Sequence, residues 1–83
     1  FWGKGIATEA VSLVLRFAFY DLGLFRVYAS AFEANHAGCR VLKKNGFHLE
    51  GTLRLAVIRA GQRQNYLNFG LLRPEYEKLQ AAY

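Results

Sequence analysis

Residues 6–23 carry apolar side chains along two stripes of what can only be a helix, and a helix wanted on two sides must be packed between neighbours. Ile6, Ala10, Leu13, Val14 and Phe17 recur at three- and four-residue spacing, and Val11, Leu15, Ala18 and Leu22 make a second stripe. Glu9, Ser12, Arg16 and Asp21 leave only a narrow polar strip, and Gly23 supplies the left-handed residue that ends the helix. A chain of 83 residues hides only about 60% of the surface it exposes unfolded, so the core is expected to be lean. At 53% hydrophobic and 16% aromatic it is nonetheless globular material, which excludes a disordered tail or low-complexity segment.

The remainder reads as short alternating elements. Phe25, Val27, Ala29 and Ala31 face one way and Arg26, Tyr28 and Ser30 the other, as in a strand over 25–31. Asn35 is a natural cap for a helix running to Lys44, closed by Asn45-Gly46. Residues 47–58 read as a strand with a bulge or close approach at Gly51. Arg59-Ala60-Gly61-Gln62 turns it into a partner over 63–72. Pro74 suits the first position of a last helix over 75–80. The spacing therefore predicts one α+β domain over residues 1–83, in the order helix, strand, helix, β-hairpin, short helix, with no repeat and no linker.

Charge and cysteine usage narrow the chemistry. Eleven Lys+Arg against six Asp+Glu give a net +5, which favours anionic partners without choosing among them. The aromatic residues fall in core-like periodicity and form no exposed stacking strip, so nucleic-acid binding is disfavoured. Cys39 stands alone, which rules out an intrachain disulfide and a thiolate-only zinc site, and a reducing cytoplasmic setting fits best. No run reaches the roughly 20 apolar residues a membrane span needs, and the opening lacks a signal peptide's layout. The start on Phe1 leads us to expect a piece of something longer. The first helix sits between a glycine turn and a strand, as in a strand–helix–strand unit that also needs a preceding parallel strand.

Gly3-Lys4-Gly5 reads as a flexible opening to that helix. The first four amides of a helix have no internal partners and carry about half a positive charge, and a glycine turn lets phosphate oxygens come close to them. Lys4 adds a cation. The pattern completes neither a nucleoside-triphosphate loop nor a dinucleotide fingerprint.

Five segments in series then resemble the GNAT superfamily of N-acetyltransferases, within it the subset typified by ribosomal-protein N-terminal alanine and serine acetyltransferases. They are Trp2-Gly3-Lys4-Gly5-Ile6-Ala7-Thr8-Glu9-Ala10 and Leu22-Gly23-Leu24-Phe25-Arg26-Val27. The third is Asn35 with Arg40-Val41-Leu42-Lys43-Lys44-Asn45-Gly46-Phe47, and after it come Glu50-Gly51-Thr52-Leu53-Arg54 and Gly70-Leu71-Leu72-Arg73-Pro74-Glu75-Tyr76. The resemblance implies the C-terminal half of that fold and acetyl-coenzyme A as cosubstrate, with no metal and no membrane partner. It also implies direct attack of an amine, of unstated identity, on the thioester. The family's Arg/Gln-x-x-Gly-x-Gly/Ala loop falls on Trp2, Gly5 and Ala7. Amides from Gly3 through Lys4, Gly5, Ile6 and Ala7 to Thr8 would hold the pyrophosphate, and Asn35 would bond the pantetheine arm, while serving equally as a helix cap.

The resemblance does not supply the proton-transfer groups. A tyrosine expected seven residues after the asparagine is Leu42, and a serine expected three after it is Gly38. Cys39, Tyr66 and Tyr76 are the other conceivable donors, each more ordinarily a packing residue. Glu33, His36, His48 and Glu50 are the candidate bases, each equally readable as a surface group. A fold half of this kind is expected to expose an edge of the first strand and to complete itself by self-association into a homo-oligomer. The other reading is a non-catalytic coenzyme-binding or dimerisation module.

Overall fold

A computed structural model describes the backbone of residues 2–81 and the side chains of residues 7–81; Phe1 and the side chains of the next five residues lie outside it. Helix α1 spans Trp2–Arg16 and widens into a π-helical segment at Phe17–Asp21. Strand β1 is Arg26–Phe32, α2 is His36–Lys44, β2 is His48–Arg59, β3 is Gln62–Leu72 and α3 is Arg73–Ala81. The α+β order expected from the periodicity is the observed one.

The opening differs from expectation. Gly3, Lys4 and Gly5 form the first turn of α1 and are not a flexible lead-in. Each residue added to an existing helix closes one further backbone bond, and glycine is only about 1 kcal/mol worse than alanine there. Two glycines weaken the turn without ending it. The helix also changes character at its far end, where the Leu22 amide reaches back to the Phe17 carbonyl at 3.0 Å, a five-residue step. Gly23, at φ +67°, then turns the chain out, as its position implied.

The three strands form one antiparallel sheet in the order β1-β3-β2. Register runs from Arg26 opposite Leu72 to Phe32 opposite Tyr66 on one side of β3, and Arg59 pairs with Gln62 at the hairpin end of the other. Ala60 and Gly61 both have positive φ, 53° and 76°, the two-residue turn whose twist suits a hairpin. The bulge expected at Gly51 is present as a slip between Leu49 and Gly51. A second slip, between Leu53 and Val57, was not expected; there Leu55 takes a φ of 51°.

One sheet face is covered. Alternation along β1 and β3 sends Ala31, Phe69 and Leu71 beneath the helices, where they meet Leu15, Phe19, Cys39, Leu42, Phe47 and Tyr76. No polar side chain is buried among the described residues. The other face, with Tyr28 and Ser30, lies open, and β1 is an edge strand. α3 begins at Arg73, two residues before the sequence suggested, because the Glu75 carboxylate reaches back to accept the Leu72 amide at 2.9 Å.

Candidate functional site

Two helices and the open edge strand meet in a narrow crevice of about 260 Å³ lined by Ala7, Val11, Ala29, Asn35, Gly38 and Val41, with Leu42 at its base. Small residues on both walls keep it narrow and let a ligand approach main chain. The elements are fixed locally. Asn35 caps α2, its Oδ1 accepting the Gly38 amide at 3.0 Å. Asn45, at the other end of α2, donates through Nδ2 to the Thr8 carbonyl at 3.3 Å and so ties α2 to α1.

Of the residues singled out from sequence, Ala7 and Asn35 are brought together on this crevice. Trp2, Gly3, Lys4 and Gly5 form the first described turn of α1, and Ile6, Ala7 and Thr8 continue it as helix.

The crevice also contains the two positions where a proton donor was sought. Leu42 is buried in the core, and a side chain at Gly38 would push aside the Asn35 cap, its Cβ standing 2.6 Å from Asn35 Nδ2. Cys39 points away from the crevice, buried, its thiol 3.9 Å from the Phe32 carbonyl. Tyr76 is a packing residue: its ring stacks on Phe19 at 4.8 Å, and burial pushes its phenol above the usual value of 10. Tyr66 leans on Phe32 at 5.8 Å.

The candidate bases separate. Glu50 is gripped by Arg26 through two hydrogen bonds of 2.7 and 2.5 Å, which lower its pKa below the ordinary 4.5. A carboxylate so held is a poor proton acceptor at neutral pH. The pair reaches from β2 to β1 across the central strand, over Gly70, where a Cβ would displace the Glu50 carboxylate from its present position. His48 pairs with Glu75 at 3.4 Å, well away from the crevice.

Glu33 and His36 line a separate cavity of about 500 Å³ on the other side of the β1–α2 connection. Sequence reasoning missed what organises it. Asn65 donates to Glu33 Oε1 at 3.1 Å and accepts the Leu55 amide at 2.9 Å, while Arg63 donates to the Leu55 carbonyl at 3.0 Å. These bonds hold the second bulge of β2 against the end of β1. A non-glycine residue at positive φ carries no signature in one sequence. No group of three or more His, Cys, Asp or Glu suited to a metal occurs among the described residues, and none of their helices is long and apolar enough to cross a membrane.

The sequence profile of the acetyltransferase (GNAT) domain matches residues 1–48. The chain is 42% identical over 76 residues to the probable N-acetyltransferase YjcK of Bacillus subtilis, covering 92% of this chain and 42% of that protein. It is 34% identical over 77 residues to the putative ribosomal N-acetyltransferase YdaF of the same organism, covering 93% and 42%. The dodecameric structure of spermidine N-acetyltransferase from Vibrio cholerae superposes with a TM-score of 0.83 at 26% identity, over 89% of this chain and 43% of that one. The chain thus spans less than half the length of the proteins it matches.

Proposed function

The chain belongs to the GNAT acetyltransferase family, and from that premise we propose that it is the coenzyme-binding, C-terminal part of an acetyl-coenzyme A-dependent N-acetyltransferase. The observation that carries the proposal is the crevice joining Ala7, Asn35 and Gly38 beside the open edge of β1. When bound, acetyl-coenzyme A supplies a thioester carbonyl open to direct attack by an amine.

The donor set fits such a ligand. Amides at the opening of α1, from Gly3 to Thr8, together with Lys4, would hold the pyrophosphate, with the helix dipole favouring its negative charge. Ile6, Ala7 and Thr8 continue that end, and the short Ala7 side chain keeps the crevice mouth clear. The Asn35 Nδ2 group and the β1 edge would bond the pantetheine arm much as an added strand is bonded. The rate enhancement would come from positioning and from donors aimed at the developing oxyanion. None of the four candidate bases lines the crevice: Glu33 and His36 face the separate cavity beside Asn65, Glu50 is held by Arg26 and His48 pairs with Glu75.

The acceptor is an amine. Among the relatives, one name is ribosomal and others specify spermidine, so a protein amine and a polyamine are the two acceptor classes to compare. The absence of a donor at Gly38 and Leu42 favours a second reading, a coenzyme-binding or assembly module without catalysis.

Calorimetric titration of the chain with acetyl-coenzyme A, repeated on Gly5→Pro, tests the cradle. Proline removes one amide and disfavours a helical Lys4. A lost charge-assisted hydrogen bond is worth about 1.5–3 kcal/mol, so affinity should fall roughly ten- to hundredfold. Equal affinity of both proteins removes the cradle from the argument.

The same reading has copies of the chain covering what it exposes. Leu13, Val14, Phe17, Leu22 and Phe25, on α1, its π-helical end and the turn that follows, are each more than half exposed. Light scattering at micromolar concentration is expected to give a dimer or larger. A well-folded monomer there overturns self-association and leaves the coenzyme crevice standing.

A further inference from the structure

A third cavity lies at the C-terminal end of α2, and it shares no lining residue with the coenzyme crevice. We propose that this cavity, where the end of α2, the start of β2 and α3 converge, is a binding site for a small amphipathic carboxylate. Its volume is about 580 Å³, within the range of small-molecule sites.

Its body is apolar and its rim is cationic. Phe47 is buried against the core and Leu79 covers the opposite wall. Between them Gly46 sits at φ +91°, and a Cβ there would collide with Leu79. Leu79 therefore packs directly on the Gly46 main chain, and with Phe47 it gives the cavity a hydrocarbon wall.

Four charged or titratable side chains surround it. Glu75 is already occupied, accepting the Leu72 amide and lying 3.4 Å from His48 Nε2. Lys43 and Lys78 have no carboxylate partner among the described residues. Two uncompensated ammonium groups at the mouth of an apolar hollow ask for a ligand with a negative head and a hydrocarbon body. A fully hydrated anion gains too little from the walls, and an uncharged hydrocarbon leaves the lysines unused.

2-Naphthoate is a suitable probe, with 2-naphthylmethanol as its uncharged counterpart. Titrated into the full chain and followed by NMR, naphthoate is expected to shift the signals of Phe47 and Leu79. The Lys43→Gln/Lys78→Gln double variant should bind it roughly five- to tenfold more weakly, as should the parent protein at 1 M salt, because exposed ion pairs are modest and screened. The alcohol should bind both proteins alike, and more weakly than the acid binds the parent. Both lysines are exposed, so the variant keeps the fold. Equal affinity for acid and alcohol overturns the proposal, as does equal affinity of the two proteins for naphthoate. Competitive displacement by coenzyme A also overturns it, since that places the probe in the crevice at Asn35. Failure of coenzyme A itself to bind bears on the acetyltransferase reading and leaves this site untouched.

Discussion

Phe19→Ala is expected to destabilise the chain by about 3–5 kcal/mol, most of what a domain of this size possesses. Phe19 has no exposed surface and sits in the π-helical segment that joins α1 to the sheet. Its ring stacks on Tyr76 at 4.8 Å, so it also fastens α3 to the rest of the core. Few other buried residues are available to absorb the loss, and a core this lean cannot collapse onto the hole without moving a whole helix. Thermal unfolding should show a drop in midpoint of well over 10 °C, by roughly 4–8 °C per kcal/mol for a domain of this size.

A second measurement separates lost packing from general unfolding. Burial holds the Tyr76 phenol above its ordinary value of 10. Water admitted beside it favours the phenolate, so in the folded variant the Tyr76 titration should move back toward 10. The sign in the parent protein follows from the same burial. With the folded pKa raised, the contribution of this group is fully present below pH 10 and is lost as pH rises through the folded value. An unfolding midpoint within a few degrees of the parent, with no change in Tyr76, would show that Phe19 does not join α3 to the core.

What a single sequence discloses here divides by distance along the chain. The Asn35 cap needs only an amide three residues away, and the Ala60-Gly61 turn needs only two residues of positive φ between two strands. Both were readable. So was the inward face of β1, because strand alternation is a local rule. The π-helical widening at Phe17–Asp21 was not, since it depends on seating Ala18 and Phe19 against residues far away in sequence. The Leu55 bulge was not either: its strained backbone is held by the side chains of Arg63 and Asn65 from the next strand.

The candidate site follows the same division. Asn35 and Ala7 were named from motif positions, and their meeting on one crevice is a consequence of α1 lying against α2 through Asn45 and Thr8. The helical start at Trp2 was hidden because Gly3 and Gly5 read as breakers, whereas a helix already nucleated downstream extends through them. The commitment of Glu50 to Arg26 was hidden because it spans 24 residues and passes over a glycine in a third strand.

Gly46→Ala is expected to lower stability by about 2–3 kcal/mol. Roughly 1–2 kcal/mol of this is the cost of placing a side chain at positive φ, here +91°. The rest comes from driving the end of the Leu79 side chain off the main chain on which it packs. Gly46 joins the end of α2 to the start of β2, its amide bonding the Lys43 carbonyl at 3.0 Å, so the strain falls on the joint that orients α2 toward the coenzyme crevice. Gly46→Asn separates the two contributions. Asparagine tolerates left-handed backbone better than alanine but brings the same Cβ to Leu79. Chemical denaturation should therefore rank the parent above Asn and Asn above Ala. If Asn and Ala cost the same, the collision with Leu79 governs; if both match the parent, neither the backbone angle nor the packing at this joint is as the structure has it.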